Sequence, residues 1–262
     1  MSLDLSQWSL TQFQSFLLIL VRVAPILFMM PVLGSPNLPA LLKAGFSLLV
    51  SLMLWPVIRI DPSVFPADPY RLALLILSET LVGFLLGLSV KLVFSGIQLA
   101  GEWIGIQMGL SMVQIVDPQS DTDTTLIAQW NYLLGLLIFL AVDGHHWFFR
   151  ALVQSFHLFA PGGWVLRDGL YHYFLQLSGK MFSTAIRIVA PITAILVFVQ
   201  IALGIIARTV PQVNVLITSF PLTIGLGLIF LCLSVDVLWP YLRILLEDSS
   251  RDLVHVLLPI MR

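Results

Sequence analysis

An all-α, integral-membrane-type fold with long, kinked helices is predicted by three features of the sequence. Of 262 residues, 58% are apolar and only 10% charged, with a mean hydropathy of +0.98; such a chain is neither disordered nor an ordinary soluble domain. The apolar residues come in long runs, near 10–33, 38–58, 72–115, 125–142, 145–160, 172–208 and 213–246. Several runs reach the roughly 20 residues needed to span a ~30 Å hydrocarbon core, and 72–115 is far too long for one crossing. None shows the period-two alternation and turn spacing of a β-barrel.

Taken in order, Met1 to Trp8 carries Asp4 and no basic residue. Phe13 to Leu20 is therefore expected to persist as a mature helix instead of leaving with a signal peptide. Pro31, Gly34, Pro36 and Pro39 separate the first two runs, and Asp61, Pro62, Pro66 and Pro69 form a loop before Tyr70. Pro161-Gly162-Gly163 makes a further turn, while Pro191, Pro211 and Pro221 kink or end apolar helices. Glu247–Asp252 reads as a short solvated turn, with Leu253–Ile260 adding one amphipathic turn or two. Lys and Arg are scattered along the loops without one-sided excess, so the positive-inside rule decides little.

Charges sit inside or at the edge of nearly every apolar run. A charge at the bilayer centre costs several kcal/mol, roughly 2.5–3.5 on insertion scales. The helices are therefore expected to pack on protein neighbours or around a wet passage more than on lipid. The stretch 83–109 is the clearest case. Gly83, Gly87, Lys91, Ser95, Gln98, Glu102, Gly105 and Gly109 recur at spacings of four and three, within about a third of a helix circumference. Such a stripe is either a tight helix interface with a few buried hydrogen bonds or a face turned to a polar path. Gln200, Gly204, Arg208 and Gln212 repeat the spacing; Arg208 there serves either a helix C-terminus or an interface.

The long helix runs into Gly105-Ile-Gln-Met-Gly-Leu-Ser-Met-Val-Gln114 and then the polar Asp117–Thr125. Met108 and Met112 fill irregular gaps, Gly105 and Gly109 ease bending, and Asp123 or Thr124 caps the next helix. The segment is either an ordinary interhelical loop or a deformable plug. Catalytic readings are weak. Adjacent His145 and His146 beside Asp143 point about 100° apart on a helix, which disfavours one shared metal. Asp117, Asp121 and Asp123 lack EF-hand spacing. No Walker loop, nucleophile elbow or dinucleotide fingerprint is present, and a net charge of −1 gives no nucleic-acid footprint. No enzyme activity, cofactor or metal is expected, and the single Cys232 forms no internal disulfide.

Three blocks in order resemble the FliR family of bacterial flagellar export-gate proteins. They are Glu102-x-x-Gly105-x-Gln107-Met108-Gly109 with Asp117-Pro118-Gln119-Ser120; Asp143-Gly144-His145 with Leu152, Ser155, Phe156 and Pro161; and Ala190-Pro191, Leu203-Gly204, Arg208, Pro211-Gln-Val-Asn214-Val and Phe220-Pro221-Leu222. Gln200, where an asparagine is common, and the bulky His146-Trp147 depart from the pattern. The resemblance implies a multi-pass subunit of the type III export gate in the bacterial inner membrane, at the flagellar basal body. It implies assembly with FliP-like and FliQ-like subunits, contact with FlhB-like and FlhA-like proteins and with lipid, and passage of unfolded rod, hook and filament subunits. It further implies a fusion of a FliP-like part, 1–180, with a FliQ-like part, 181–262. A pore plug falls at 105–124, where Gly105, Gln107, Met108, Gly109, Leu110, Met112, Val113, Asp117 and Pro118 are the expected site residues. Lys91, Gln98, Glu102, Gln200 and Arg208 would form a polar assembly stripe. A virulence-type secretion homologue shares this fold. A secondary transporter would show two matched halves, and no internal repeat is found.

Overall fold

The computed structural model describes residues 10–35, 38–58, 60–61, 64–110, 124–163, 168–209 and 215–261. All regular elements among them are helical: α1 (Leu10–Met29), α2 (Ala40–Leu54), α3 (Pro69–Met108), α4 (Leu126–Ala141), α5 (Gly144–Leu158), α6 (Asp168–Thr209), α7 (Val215–Asp252), a π-helical turn (Leu253–Leu257) and α8 (Leu258–Met261). Four helical stretches are long and apolar enough to cross a membrane, and α4 with α5, bent by 68° where they meet, allows a fifth. The run at 72–115 resolves into the 40 residues of α3, about 60 Å at 1.5 Å per residue. Neither Pro191 nor Pro221 ends its helix; they lie inside α6 and α7. Pro211 lies outside the described residues.

The chain divides into two compact units. The first gathers residues 1–92, 143–176 and 247–262. Its helices approach to backbone contact, since a Cβ on Gly83 would collide with the Arg22 carbonyl and one on Gly87 would lie 2.7 Å from the Met29 Cβ. Around this crossing Leu18, Ile19 and Val23 of α1 are buried, as are Val82 and Leu86 of α3. In α5, Phe148 and Leu152 complete the core. α1 and α2 pack together as a hairpin, yet α2 keeps much of its apolar surface outside, Leu41 being 84% exposed.

A buried ion pair sits inside this unit. Arg22 Nε donates to Glu79 Oε2 at 2.6 Å, Nη2 lies 2.5 Å from the same oxygen, and both side chains are 0% exposed. Nη1 donates to Ser155 Oγ at 3.1 Å, and the guanidinium carbon stands 4.0 Å from the centre of the Phe156 ring. Glu79 Oε1 accepts the Gly162 N–H at 2.8 Å. The network thereby ties α1, α3, α5 and the Pro161–Gly163 turn.

The second unit comprises residues 93–142 and 177–246. Gly96 lies against the Met181 carbonyl and Gly101 against the backbone of Ile127 and Ala128. Phe94 meets Phe139 edge-on at 5.5 Å and Tyr132 at 5.7 Å.

Two local expectations are corrected. Glu247–Asp252 is no turn but the end of α7. Leu246, Ser250, Leu253 and Leu257 are buried at spacings of four and three, so one face of a helix packs inward while the charges stay on the others. The N-cap of α4 is Thr125, not Asp123 or Thr124.

Because the buried pair is costly to break on one side, Glu79→Leu alone should lower unfolding stability by roughly 3–5 kcal/mol. The double substitution Arg22→Met with Glu79→Leu should recover most of that loss. Thermal unfolding in detergent would read the difference; equal losses in the single and double variants would show that the ion pair is not what the single change disturbs.

Candidate functional site

Gly105 to Leu110 and Thr124 to Ala128 are the described flanks of the candidate plug, all within the second unit. The first flank ends α3 with paired hydrogen bonds. Gly109 N–H donates to the Ile106 carbonyl at 3.0 Å and Leu110 N–H to the Gly105 carbonyl at 3.0 Å, while Gly109 takes φ +85°. This is a Schellman stop, and its left-handed position favours glycine. A Cβ there would also stand 2.7 Å from the Phe220 ring.

The second flank begins α4. The Thr125 side chain accepts the Ala128 N–H at 3.2 Å, capping one orphan donor of the first turn. In a capping box the residue at the third helical position would reach back to the N-cap N–H. Here that position is Ala128, and Glu102 of α3 takes the role, its Oε1 accepting the Thr125 N–H at 3.1 Å. Gly105 completes the joint, because a Cβ on it would lie 2.7 Å from Thr125 Oγ1. The two flanks are therefore fastened to each other.

α7 holds the same joint. Met108 is 0% exposed, and its carbonyl is 3.1 Å from Thr223 Oγ1, whose hydroxyl also reaches the Ser219 carbonyl at 3.0 Å. The Met108 side chain lies over Gly227, where a Cβ would be 2.6 Å from Cγ and 2.8 Å from Sδ. Thr223 and Gly227 stand four apart, a small-residue spacing that was readable in the sequence.

The predicted site residues thus separate. Gly105, Met108 and Gly109 meet at the joint with Glu102. Gln107 buries its Oε1 without a partner among the described residues, and Leu110 is partly exposed. Met112, Val113, Asp117 and Pro118 lie outside the described residues. On the polar stripe Lys91 is exposed and belongs to the first unit, Gln98 and Glu102 are half-buried in the second, and Gln200 and Arg208 are exposed on α6. A Cβ on Gly204 between them would meet open space.

In the first unit, Asp143, His145 and His146 each place a ligand atom within 4.8 Å of the others, closer than helical spacing alone predicts. Asp143 adopts φ 55° at the α4–α5 corner and stands outside α5 as its N-cap, which turns its carboxylate back toward His146, 3.5 Å away. The positive end of α5 opposes a cation there.

The described residues offer long apolar helices and two loop flanks fastened to each other. Comparison with known proteins gives the class. Residues 13–249 match bacterial export proteins, family 1. The chain is 34% identical to the flagellar biosynthetic protein FliR of Bacillus subtilis (strain 168) over 237 residues, 88% of this chain and 90% of that protein. It is 26% identical to FliR of Escherichia coli (strain K12) over 91% of this chain and 90% of that one, and 29% identical to FliR of Caulobacter vibrioides over 94% and 97%. The chain is a bacterial export protein with several membrane-spanning helices. It belongs to the FliR family, components of the flagellar export apparatus.

Thr125→Ala removes the cap oxygen and should cost about 1 kcal/mol, with faster amide hydrogen exchange confined to the first turn of α4. Glu102→Gln keeps an acceptor and should leave that exchange nearly unchanged. Exchange in Thr125→Ala equal to that of the parent protein would refute the Thr125 cap.

Proposed function

We propose that this chain is the plug-bearing subunit of the flagellar type III export gate in the bacterial inner membrane, with segment 105–124 closing the path taken by unfolded rod, hook and filament subunits. The observation that carries the reading is the joint itself: Glu102 and Gly105 on Thr125, and Met108 on Thr223 and Gly227. A segment secured at both ends on one point can close a path without being drawn along it by a passing chain. The relatives reported above carry flagellar names, which favours the flagellar assignment over a virulence-type secretion system.

In this reading the FliP-like part is 1–180 and the FliQ-like part 181–262, with FliP-like and FliQ-like subunits alongside and FlhB-like and FlhA-like proteins against the gate. The exposed Gln200, Gly204 and Arg208 supply a polar stripe on an otherwise apolar helix, a surface suited to FliQ-like hairpins. Substrates cross without covalent change, so the chain needs apolar closure and release, not acid–base groups. Release acts at Met108: loosening its carbonyl from Thr223 and its side chain from Gly227 frees the segment, whereas Gly105 and Gly109 are fixed by packing and by a helix stop.

Removing residues 111–119 should leave the export complex assembled and raise membrane permeability to ions and small solutes in growing cells. Unchanged permeability with an intact complex overturns the plug assignment. Gly227→Leu gives a finer test, since the added side chain unseats Met108 and should raise permeability with the loop still present. A tight gate in that variant, with the complex recovered, would place release elsewhere.

A further inference from the structure

The first unit holds a cleft of about 510 Å³ at the start of α3, where Arg71, Leu74, Leu75 and Ser78 on one face of the helix meet Val64, Pro66 and the Pro161–Gly163 turn. It is unlike another groove of this unit, which is lined by apolar side chains of α1 and α2 around Gly45. Arg71 is the cation of the cleft, and among the described residues no carboxylate pairs with it. The nearest acid in sequence, Asp68, uses its Oδ1 to accept the Tyr70 N–H at 3.2 Å.

The walls of the cleft are fixed and electrically quiet. The Gly162 N–H is held by Glu79 at 2.8 Å and the Gly163 N–H by the Ala160 carbonyl at 2.9 Å. Ser78 Oγ donates to the Leu75 carbonyl at 2.7 Å. Glu79 lies behind that wall, but Arg22 neutralises it, so it does not repel an anion in front. Arg71 is left with five N–H donors in a fork that matches a phosphate.

From Leu74 an apolar stripe runs along the helix. Tyr70, Leu74, Leu77, Leu81 and Phe84 are all exposed, at spacings of four, three, four and three. They form one stripe about 21 Å long at 1.5 Å per residue, comparable in length to a lipid acyl chain. Leu74 belongs to both the cleft and the stripe. Tyr70 stands beside Arg71 at the end of a helix long enough to span a bilayer, where aromatic residues collect at the membrane–water interface. A free anion would use Arg71 and leave the stripe bare; an apolar helix would use the stripe and strand Arg71 against a greasy partner.

We propose that this cleft binds an anionic phospholipid, its phosphodiester on Arg71 and one acyl chain along Tyr70–Phe84. The site is independent of the plug reading, because it lies wholly in the first unit and uses none of the plug residues.

The test uses the full chain, purified with its co-expressed partner subunits in mild detergent, and mass spectrometry of the phospholipid it retains. The parent protein should keep phosphatidylglycerol in preference to phosphatidylethanolamine. Arg71→Gln should lose about fivefold or more of that phosphatidylglycerol, with unchanged thermal unfolding; Arg71→Lys should keep part of it. Leu77→Asn should lose retained lipid while Arg71 is intact. Equal retention in Arg71→Gln overturns the proposal, as does displacement of the lipid by inorganic phosphate alone, which would mark a free-anion site. A photo-crosslinking amino acid at Leu74 should capture lipid in intact cells; capture of a protein subunit in its place would assign the stripe to a partner and overturn the proposal.

Discussion

Backbone-to-backbone approach along α3 is the constraint on which the rest of the structure depends. Gly83 and Gly87 admit α1, Gly96 admits α6, and Gly101 and Gly105 admit the start of α4. Apolar side chains gain little from one another in a lipid-like setting, because lipid tails are as apolar as leucine. Close approach restores a driving force by multiplying van der Waals contacts and by bringing polar backbone within reach. The Glu102–Thr125 bond is one result, since it exists only because Gly105 lets Thr125 come that near.

The buried Arg22–Glu79 pair answers a different difficulty. Each charge alone would be intolerable in the core of the first unit, and their mutual attraction repays the desolvation only with further hydrogen bonds. Those come from Ser155 and Gly162. The benefit is specificity of register more than stability: Arg22, Glu79, Ser155 and Gly162 must stand at one level, which fixes three helices and a turn against sliding. Apolar helices packed on glycines have many near-equivalent registers, and a polar network at one level removes most of them.

The sequence made some of this legible. The fold class, the length of α3, the small-residue stripe and the Pro161–Gly163 turn all follow from local spacing, because periodicity reports on a helix whatever it packs against. The ion pair did not, because Arg22 and Glu79 are 57 residues apart and each looks like a stray charge within its own run. Gly96 and Gly101 lie off the stripe, so spacing gives no sign of them, although Gly101 makes the tightest approach to α4. The cap of α4 was misplaced because Asp123, Thr124 and Thr125 are equally good cap residues locally; Gly105 and Glu102 single out Thr125. Composition hides the end of α7, since the four charges in residues 247–252 surround a single buried position, Ser250.

The joint at the flanks of the proposed plug also bears on where motion belongs. A glycine pair invites the idea of a hinge, but flexibility of an isolated residue is spent once packing fixes it. Gly105 has Thr125 against it, and Gly109 holds a left-handed conformation closed by two hydrogen bonds. Bending at either would break contacts in α3 and α4 together. The Met108–Thr223 contact is different in kind: the threonine hydroxyl has the carbonyls of Ser219 and Phe220 of its own helix as alternative acceptors, so losing Met108 leaves no donor stranded. The Met108 side chain is unbranched and, though buried, rests on Gly227, which has no side chain to interlock with it. Separation at that surface leaves the Thr125 cap and the α3 stop intact, whereas bending at Gly105 or Gly109 would disturb both.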